Sequence, residues 1–218
     1  KRFQEELGYT YLGNWQYAKG ANVNNMGVAN SPILDDEVRS FLKEQGRTEM
    51  QIEDVLVKLK DKARLGDSKM SSLIQCNTDL YDTLIMGIKS QPSPEENHED
   101  VMFFDFDHPQ NNHFAIAEEV SYIDPLLGKN KRPDIVVYVN GIALAVIEQK
   151  RSLVNYEEGI KQHLSNERDF IPSFFTTTQF TIASNDDVEF RYGTIGTPLP
   201  FWCKWKRDTN KVGDTITE

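Results

Sequence analysis

The chain has 218 residues, of which 27% are charged and 39% hydrophobic, and its formal net charge is −10. These proportions are typical of a soluble globular chain and exclude extensive disorder, and no apolar run approaches the length of a membrane span. The acidic balance argues against a protein whose whole surface binds nucleic acid. It leaves room for a nuclease, whose basic groups need only line one groove.

The first part of the chain is predicted to be mainly helical. Apolar residues recur there at helical spacing, and the pair Thr48 and Gln51 resembles a capping box that opens one helix. The predicted elements are a helix end stopped by Gly8, a short extended piece, a polar loop over about 18–32, and helices over 34–46, from Thr48 onward, and over 77–88. We expect a helical extension over about 1–95.

The second part is predicted to be rich in strands. A Pro-rich acidic loop over 90–100 is the candidate junction between the two parts, which together form one domain. The predicted elements are strands at 101–106 and 113–123, a β-hairpin, a helix over 156–166 capped by Asn155 with Glu158, and further strands within 173–184 and 189–196. We expect a core over about 96–206.

The hairpin stretch reads "RPDIVVYVNGIALAVIEQK", from Arg132 to Lys150. Its Asn-Gly pair predicts a tight turn, and both strands are apolar on both faces, which predicts burial. Charged residues nevertheless stand at the open end: Asp134 on one strand, Glu148 and Lys150 on the other. Buried strands do not normally end in unpaired charges, so these three residues are the candidate functional site.

The register of the hairpin decides whether the three residues meet. A two-residue turn alone would place Asp134 opposite Ile147, with its carboxylate pointing away from Glu148. A β-bulge or an odd-length loop reverses this and brings Asp134 to the face that Glu148 and Lys150 share. We predict such a bulge or loop.

Two converging carboxylates favour Mg²⁺, which keeps several waters and takes only one or two protein acids. A neighbouring lysine could orient or deprotonate an attacking water and stabilise the charge that develops on a phosphodiester. The alternative interpretation is an ordinary surface salt bridge between Glu148 and Lys150, which is common and contributes little energy.

The same stretch resembles the PD-(D/E)xK nuclease signature, in particular the nuclease domain of the restriction (R, HsdR) subunit of type I restriction-modification enzymes. The resemblance extends over about 77–206 and includes the segments "NTDLYDTLIMGI", "VMFFDFDHPQNNHFAI" and "FRYGTIGTPLPFWCKW". It implies an α/β fold, with a mixed central sheet flanked by helices and preceded by the N-terminal helical extension.

The resemblance assigns roles to individual residues. Asp134 and Glu148 correspond to the metal-binding carboxylates and Lys150 to the catalytic lysine. Gln162 matches the first position of a Gln-x-x-x-Tyr motif that supports the site and contacts DNA, whereas Asn166 stands where the family has tyrosine, so half of this motif is absent. The family also carries an acid on an N-terminal helix, for which the candidates here are Glu5 and Glu6.

Further residues near the hairpin are assigned by their charge or position. Basic residues concentrate in and beside the hairpin and the next helix: Lys129, Lys131, Arg132, Lys150, Arg151 and Lys161. Of these, Arg132, Arg151 and Lys161 are predicted to bind DNA or support the site. Asp105 is interpreted as a structural acid, and His163 is expected to be exposed.

The leading hypothesis is the endonuclease module of a type I R subunit, a site-specific deoxyribonuclease that depends on Mg²⁺, with Mn²⁺ as a substitute. The resemblance implies double-stranded DNA as substrate, and specificity and methylation subunits as partners. It also implies an ATP-driven translocase motor, to which residues 207–218 would begin the connection. ATP is expected only in that motor, because this chain lacks a phosphate-binding Gly-x-x-x-x-Gly-Lys-Ser/Thr loop. The isolated chain is expected to cleave DNA weakly or not at all.

Two alternatives remain open: a free-standing PD-(D/E)xK repair nuclease, and a non-catalytic docking domain that keeps the hairpin as scaffold. Under each hypothesis we expect a cytoplasmic protein without a membrane partner. The two cysteines, Cys76 and Cys203, form neither a metal-like cluster nor a disulfide framework, which is typical of a reducing compartment.

Overall fold

A computed structural model describes residues 2–15, 31–91, 93, 97–151, 155–185 and 189–205. Most of the polar loop predicted over 18–32, part of the acidic loop, and residues 207–218 lie outside these ranges. None of the helices in the described residues combines the length and the apolarity needed to cross a membrane.

Helices predominate in the first part of the described chain and strands in the second. The strands are β1 Thr10–Asn14, β2 Ile88–Ser90, β3 Glu99–Val101, β4 Phe114–Glu118, β5 Tyr122–Ile123, β6 Asn130–Lys131, β7 Ile135–Val139, β8 Ile142–Lys150, β9 Phe180–Asn185, β10 Glu189–Gly193 and β11 Cys203–Lys204. The α-helices are α1 Arg2–Glu5, α2 Asp35–Glu44, α3 Glu49–Lys62, α4 Met70–Met86 and α5 Tyr156–Ser165. A π-helical turn, Asn166–Phe170, follows α5 directly.

Seven of the strands form one mixed sheet, in the order β1-β4-β7-β8-β9-β10-β11. The pairs β1/β4 and β8/β9 are parallel, and the other neighbours are antiparallel. The expectation of a mixed central sheet flanked by helices is confirmed. The first strand comes from the predicted helical extension, so residues on both sides of position 95 build the same sheet.

Each face of the sheet packs against a separate hydrophobic cluster. One cluster joins Val136, Tyr138 and Val146 to the aromatic residues Phe174 and Phe175. The other joins the opposite face to α2, α3 and the second half of α4, and contains Ile33, Val38, Phe41, Leu42, Ile52, Val55, Leu56, Leu59, Leu80, Leu84 and Ile142. Burial on both faces explains why β7 and β8 are almost continuously apolar.

The helix predictions are largely confirmed. The capping box at Thr48 forms, because its side chain accepts from the backbone N–H of Gln51 at 3.3 Å and the Gln51 side chain accepts from the Thr48 N–H at 3.0 Å. Helix α4 begins at Met70, seven residues before the expected start at 77. Its N-cap, Lys69, provides no side-chain cap, so the usual start signal is missing from the sequence.

Several strand predictions are wrong in part, and the strand expected over 113–123 is divided into β4 and β5, which lie in different sheets. The strand expected over 101–106 ends at Val101, and Asp105 lies in a turn where it accepts from the His108 backbone N–H at 2.8 Å and from the Asn111 side chain at 2.7 Å. These bonds confirm Asp105 as a structural acid and hold the pKa of its carboxyl below its usual range. The strand expected over 173–184 begins only at Phe180, after a 3₁₀ turn at Pro172–Thr176.

The turn between β7 and β8 anchors α2 to the sheet. Asn140 and Gly141 have φ values of 49° and 81°, as a type I′ turn requires. The backbone N–H of Leu34 donates to the Gly141 carbonyl at 2.8 Å, and Ile33 bridges to Ile142. The approach is close, because a Cβ on Gly141 would lie 2.7 Å from both the Glu37 Cβ and the Leu34 carbonyl oxygen.

We predict that Gly141→Ala destabilises the protein more than Gly128→Ala. Both glycines have positive φ, but a Cβ on Gly128 meets nothing within 4 Å, so Gly128→Ala measures the backbone strain alone. The clash at Gly141 should add a loss of about 1–3 kcal/mol, which at roughly 2–4 °C per kcal/mol is resolved by thermal melting. Equal losses for the two variants would contradict the close packing of α2 on the turn.

Candidate active site

A β-bulge brings the three candidate site residues to one face of the sheet. Strand β7 pairs with β8 as Tyr138↔Ala143 before the bulge and as Val137↔Ala145 after it, so Leu144 is the extra residue. Beyond the bulge Ile135 pairs with Ile147, and the next position in this register sets Asp134 opposite Glu148. The predicted bulge is confirmed.

The two acids occupy different environments at this strand end. The Glu148 side chain is fully buried, whereas Asp134 is half-buried and its Oδ2 accepts from the Gln149 backbone N–H at 2.8 Å. Neither carboxylate oxygen of Glu148 accepts a hydrogen bond from a donor within the described residues. The polar group beside Glu148 is the Asp134 carboxyl, which cannot donate while it is ionised.

Burial, the largest cause, and the negative charge of Asp134 together raise the pKa of Glu148 to about 9, while Lys150 acts in the opposite direction. A buried carboxyl without donors, next to a second carboxylate, is a site that a hard divalent cation would stabilise. No group of three or more His, Cys, Asp or Glu in the described part of the chain is arranged to hold a metal ion. Two acids, with waters completing the shell, fit Mg²⁺ better than a cation that needs a full protein cage.

Lys150 completes the cluster from the end of β8. Its Nζ lies 3.8 Å from the Glu148 Oε2 and donates to the side-chain oxygen of Gln162. The Lys150 side chain is 21% exposed, whereas the side chain of the acid beside it is fully buried. The structure therefore brings together Asp134, Glu148, Lys150 and Gln162.

Helix α5 carries Gln162 and begins at a polar cap. The Asn155 side chain accepts from the backbone N–H of Glu157 at 3.0 Å, which confirms Asn155 as the cap but gives Glu158 no part in it. Gly159 permits a close approach to the sheet, because a Cβ there would lie 3.1 Å from the Ala183 Cβ and 3.6 Å from the Glu148 carbonyl oxygen. This approach lets Gln162 reach the end of β8.

The position where the family has tyrosine is part of the core. Asn166 is buried at the junction between α5 and the π-helical turn, and its amide nitrogen and oxygen have no hydrogen-bond partner in the described residues. The next residue, Glu167, is also buried and accepts from the Gly196 backbone N–H at 2.9 Å. Burial raises the pKa of Glu167 to about 7. Nothing in the local sequence pattern indicates these two buried polar groups.

The expectation that His163 is exposed is wrong. The ring is fully buried between Phe175 and Trp202, and its Nε2 lies 2.8 Å from the Ile182 carbonyl oxygen. Burial lowers the pKa of His163 to about 4. The segment around Trp202 covers α5 from a distant part of the chain, so the periodicity of the helix could not reveal this burial.

The basic residues predicted to bind DNA stand around the cluster and contact acids or solvent. Arg132 forms an ion pair with Glu119, Lys161 forms one with Glu158 at 2.7 Å, and Arg151 is exposed. None of the three forms an ion pair with Asp134 or Glu148 among the described residues.

Glu119 is a neighbour of the site that sequence reasoning missed. It follows β4 with a φ of 53°, and its backbone N–H donates to the Asp134 carbonyl at 2.8 Å. Its negative charge contributes to the raised pKa of Glu148. The available signal was the acidic pair "EE" directly after the apolar run of β4.

The structure does not bring Glu5 and Glu6 to the cluster. Both are exposed near α1, where Tyr9 stacks on Phe114 at 5.3 Å. Phe114 pairs with Val139, at the turn end of the hairpin, whereas Asp134 and Glu148 lie at its open end. Glu5 and Glu6 therefore lie near the turn end of the hairpin, at the opposite end of the strands from Asp134 and Glu148.

The fold and the strand-end cluster define a mixed α/β protein whose central sheet and flanking helices are consistent with a nuclease core. The particular family follows from comparison with known proteins. The family model described as type I restriction enzyme R protein N terminus matches residues 1–200, so the chain belongs to this family.

Two relatives illustrate the similarity. The HindI endonuclease subunit of a type I restriction enzyme from Haemophilus influenzae is 28% identical over 157 residues, which are 70% of this chain and 14% of that protein. A Methanocaldococcus jannaschii protein, provisionally named the type I restriction enzyme MjaIXP endonuclease subunit, is 32% identical over 132 residues, which are 58% of this chain and 12% of that protein. The chain thus corresponds to a small part of the length of these relatives.

We predict that Glu148→Gln stabilises the metal-free protein, and more so at pH 8 than at pH 5. The pKa of Glu148 lies near 9, against an ordinary value of 4.5, so the stability that its neutral form provides is complete below about pH 4.5 and is lost as the pH rises toward 9. Glutamine stays neutral throughout. Melting in EDTA should show an increase of several degrees at pH 8 and little change at pH 5.

The matched control is Glu158→Gln, which neutralises an exposed carboxylate on α5. Equal shifts for Glu148→Gln at the two pH values would contradict a buried acid that is protonated at neutral pH.

Proposed function

We propose that this chain is the endonuclease module of a type I restriction enzyme R subunit and hydrolyses DNA phosphodiester bonds with Mg²⁺ held by Asp134 and Glu148. The observation that carries the proposal is the buried Glu148 carboxyl, which lacks donors and faces Asp134 on one side and Lys150 on the other. The names of the relatives, which are endonuclease subunits, support the same activity.

Asp134 and Glu148 are the residues that would hold the metal. A bound Mg²⁺, or Mn²⁺ in its place, would polarise a phosphoryl oxygen and lower the pKa of an attacking water. The hydrogen bond from the Gln149 N–H fixes the Asp134 carboxylate at the end of β8, so this acid is positioned before any ligand arrives. The buried Glu148 must give up its proton to become a ligand.

Lys150 is the proposed catalytic residue for the water and the phosphate. Its ammonium can orient the attacking water and stabilise the negative charge that develops on the phosphodiester. Gln162 is the proposed positioning residue, because its side-chain oxygen accepts from the Lys150 ammonium and holds it beside Glu148. Asn166 cannot replace the absent tyrosine at the surface, because it is buried.

Arg132, Arg151 and Lys161 are the proposed contacts to the DNA backbone near the site. The ion pair of Lys161 with Glu158 is exposed and contributes little energy, so exchange of this acid for a phosphate costs little, whereas Arg132 would have to leave the partly buried Glu119. Such contacts would position double-stranded DNA without reading its sequence.

The wider setting is also a proposal, because the chain covers only a small part of its relatives. We place the module in a cytoplasmic restriction complex with specificity and methylation subunits. An ATP-driven motor in the same polypeptide would translocate the DNA, and residues 207–218 would begin the connection to it. Without such a motor, a chain with a net charge of −10 attracts DNA weakly and should cleave it poorly.

We predict that Lys150→Ala and Glu148→Ala each abolish DNA cleavage by the intact protein assembled with its partner subunits and supplied with ATP and Mg²⁺. Removing a group that stabilises transition-state charge typically costs about 10²–10³ in rate. Plasmid linearisation measures the loss. Lys60→Ala is the control, because Lys60 lies on α3 and is ion-paired with Asp35 at 2.8 Å. Retained cleavage by either site variant would overturn the assignment.

We also predict that the intact protein binds Mn²⁺ without ATP, and that Glu148→Gln removes this binding. Because the pKa of Glu148 is near 9, metal binding at pH 7 should release about one proton. Isothermal titration in two buffers of different protonation enthalpy measures both the binding and the proton. A non-catalytic docking domain, the alternative that the absent tyrosine position favours, should give no heat that depends on Glu148.

A further inference from the structure

Two lysines of a short hairpin are held over one aromatic ring. Strands β5 and β6 pair as Tyr122↔Lys131 and Ile123↔Asn130. The Lys131 Nζ lies 4.0 Å from the centroid of the Phe170 ring and the Lys129 Nζ 5.3 Å from it. Lys129 also donates to the Asp169 carbonyl at 2.8 Å. We call Lys129, Lys131 and Phe170 the lysine ridge.

The hairpin that carries the ridge is firmly attached to the core. Asp124, fully buried in its loop, accepts from the backbone N–H groups of Leu126 at 2.8 Å and Leu127 at 3.0 Å. Its second oxygen accepts from the Ser173 N–H at 2.9 Å. Tyr122, opposite Lys131, is buried against Phe174 with ring centroids 5.0 Å apart. The lysines therefore project from a rigid support, which lowers the entropy lost on binding a ligand.

Both segments that carry the lysine ridge are continuous in sequence with segments of the candidate active site. These two segments are the β5–β6 hairpin and the π-helical turn after α5. Lys131 precedes Asp134 by three residues, so their Cα atoms are at most about 10 Å apart. The strand leaves the hairpin with a fixed course, because the Val120 N–H donates to the Pro133 carbonyl at 3.0 Å. Phe170 ends the π-helical turn that continues α5, the helix of Gln162. The two segments that carry the ridge thus lead directly into the candidate active site.

The charge of the ridge calls for an anion. Neither Lys129 nor Lys131 forms an ion pair with a carboxylate of the described residues; the neighbouring Asp169 is paired with Arg168 at 2.7 Å, and the charge of Lys129 acts on it only from a greater distance. The ring attracts each ammonium through its quadrupole but does not neutralise it. Two like charges within 5.3 Å of one centroid repel each other, and a bound anion would relieve that repulsion.

We infer that the lysine ridge binds a phosphate of the DNA strand that enters the site, and so holds the strand beside Asp134 and Glu148. The inference rests on the proposed nuclease function and adds a binding surface to it. Lysine binds phosphate as a point charge, so the ridge positions the backbone and reads no bases.

The test is the salt dependence of DNA binding by the intact protein. A fluorescein-labelled 20-base-pair duplex is titrated in EDTA, so that neither metal nor cleavage contributes, and anisotropy gives the affinity from low to moderate salt. Lys129→Gln with Lys131→Gln should lower the slope of log affinity against log salt by about one for each phosphate that the protein no longer binds. Phe170→Leu should weaken binding at each salt concentration without changing the slope, because the charges remain.

Matched variants separate this effect from general charge and from misfolding. Lys60→Gln with Lys62→Gln makes the same charge change on α3 and should leave the slope unaltered. Lys129→Arg with Lys131→Arg keeps both charges on the hairpin and should retain the wild-type slope, and thermal melting checks the folding of every variant. Equal slopes for the glutamine pair at 129 and 131 and the glutamine pair at 60 and 62 would overturn the proposal that the lysine ridge binds phosphate.

The outcome for the ridge can be told apart from that for the nuclease. An unchanged slope, together with cleavage that is lost in Lys150→Ala, would overturn only the ridge. A reduced slope, together with cleavage that survives Lys150→Ala, would support the ridge as a DNA-binding surface and overturn the catalytic assignment.

Discussion

One extra residue in β8, Leu144, controls the geometry of the whole strand end. Side chains alternate between the faces of a strand, so a shift of one position exchanges every side chain between the two faces. With the bulge, Ala143 and Val146 face the same core although they are three positions apart, and Asp134 stands opposite Glu148. Without it, the acids would point to opposite sides of the sheet. The hairpin must therefore keep an irregular pairing within its most apolar part.

The same geometry makes the metal-free site unstable. Burial and the neighbouring Asp134 carboxylate disfavour ionisation of Glu148, and Lys150, at 3.8 Å and partly exposed, compensates only in part. Helix α5 restrains this strained arrangement. Its close approach at Gly159 lets Gln162 hold Lys150, and the buried His163 and Asn166 pack the helix against the sheet and the Trp202 segment. Local instability of this kind is common where chemistry takes place.

The distribution of charge also matters more than its sum. A net charge of −10 does not attract DNA over a long distance, yet the hairpin of β5 and β6 presents two lysines without carboxylate partners among the described residues. Arg132 and Lys161, in contrast, are held by acids on the surface. The basic groups near the strand end are thus of two kinds. Lys129 and Lys131 are already oriented over the Phe170 ring, whereas Arg132 and Lys161 would have to break an ion pair before they could bind a phosphate.

Patterns local to the chain were sufficient for most of the helices and for the apolar hairpin with its Asn-Gly turn, because turn chemistry and periodicity are properties of neighbouring residues. The family resemblance added the expectation that Asp134, Glu148, Lys150 and Gln162 lie together, as they do in the structure. The sequence predicted that the hairpin has a bulge or an odd-length loop, but it did not predict that the bulge lies at Leu144. The burial of His163, the proximity of Glu119 to Glu148 and the placing of Phe170 under Lys129 and Lys131 depended on segments about 30 to 40 positions apart. Contacts at such separations arise from packing, and no local pattern of residues encodes them.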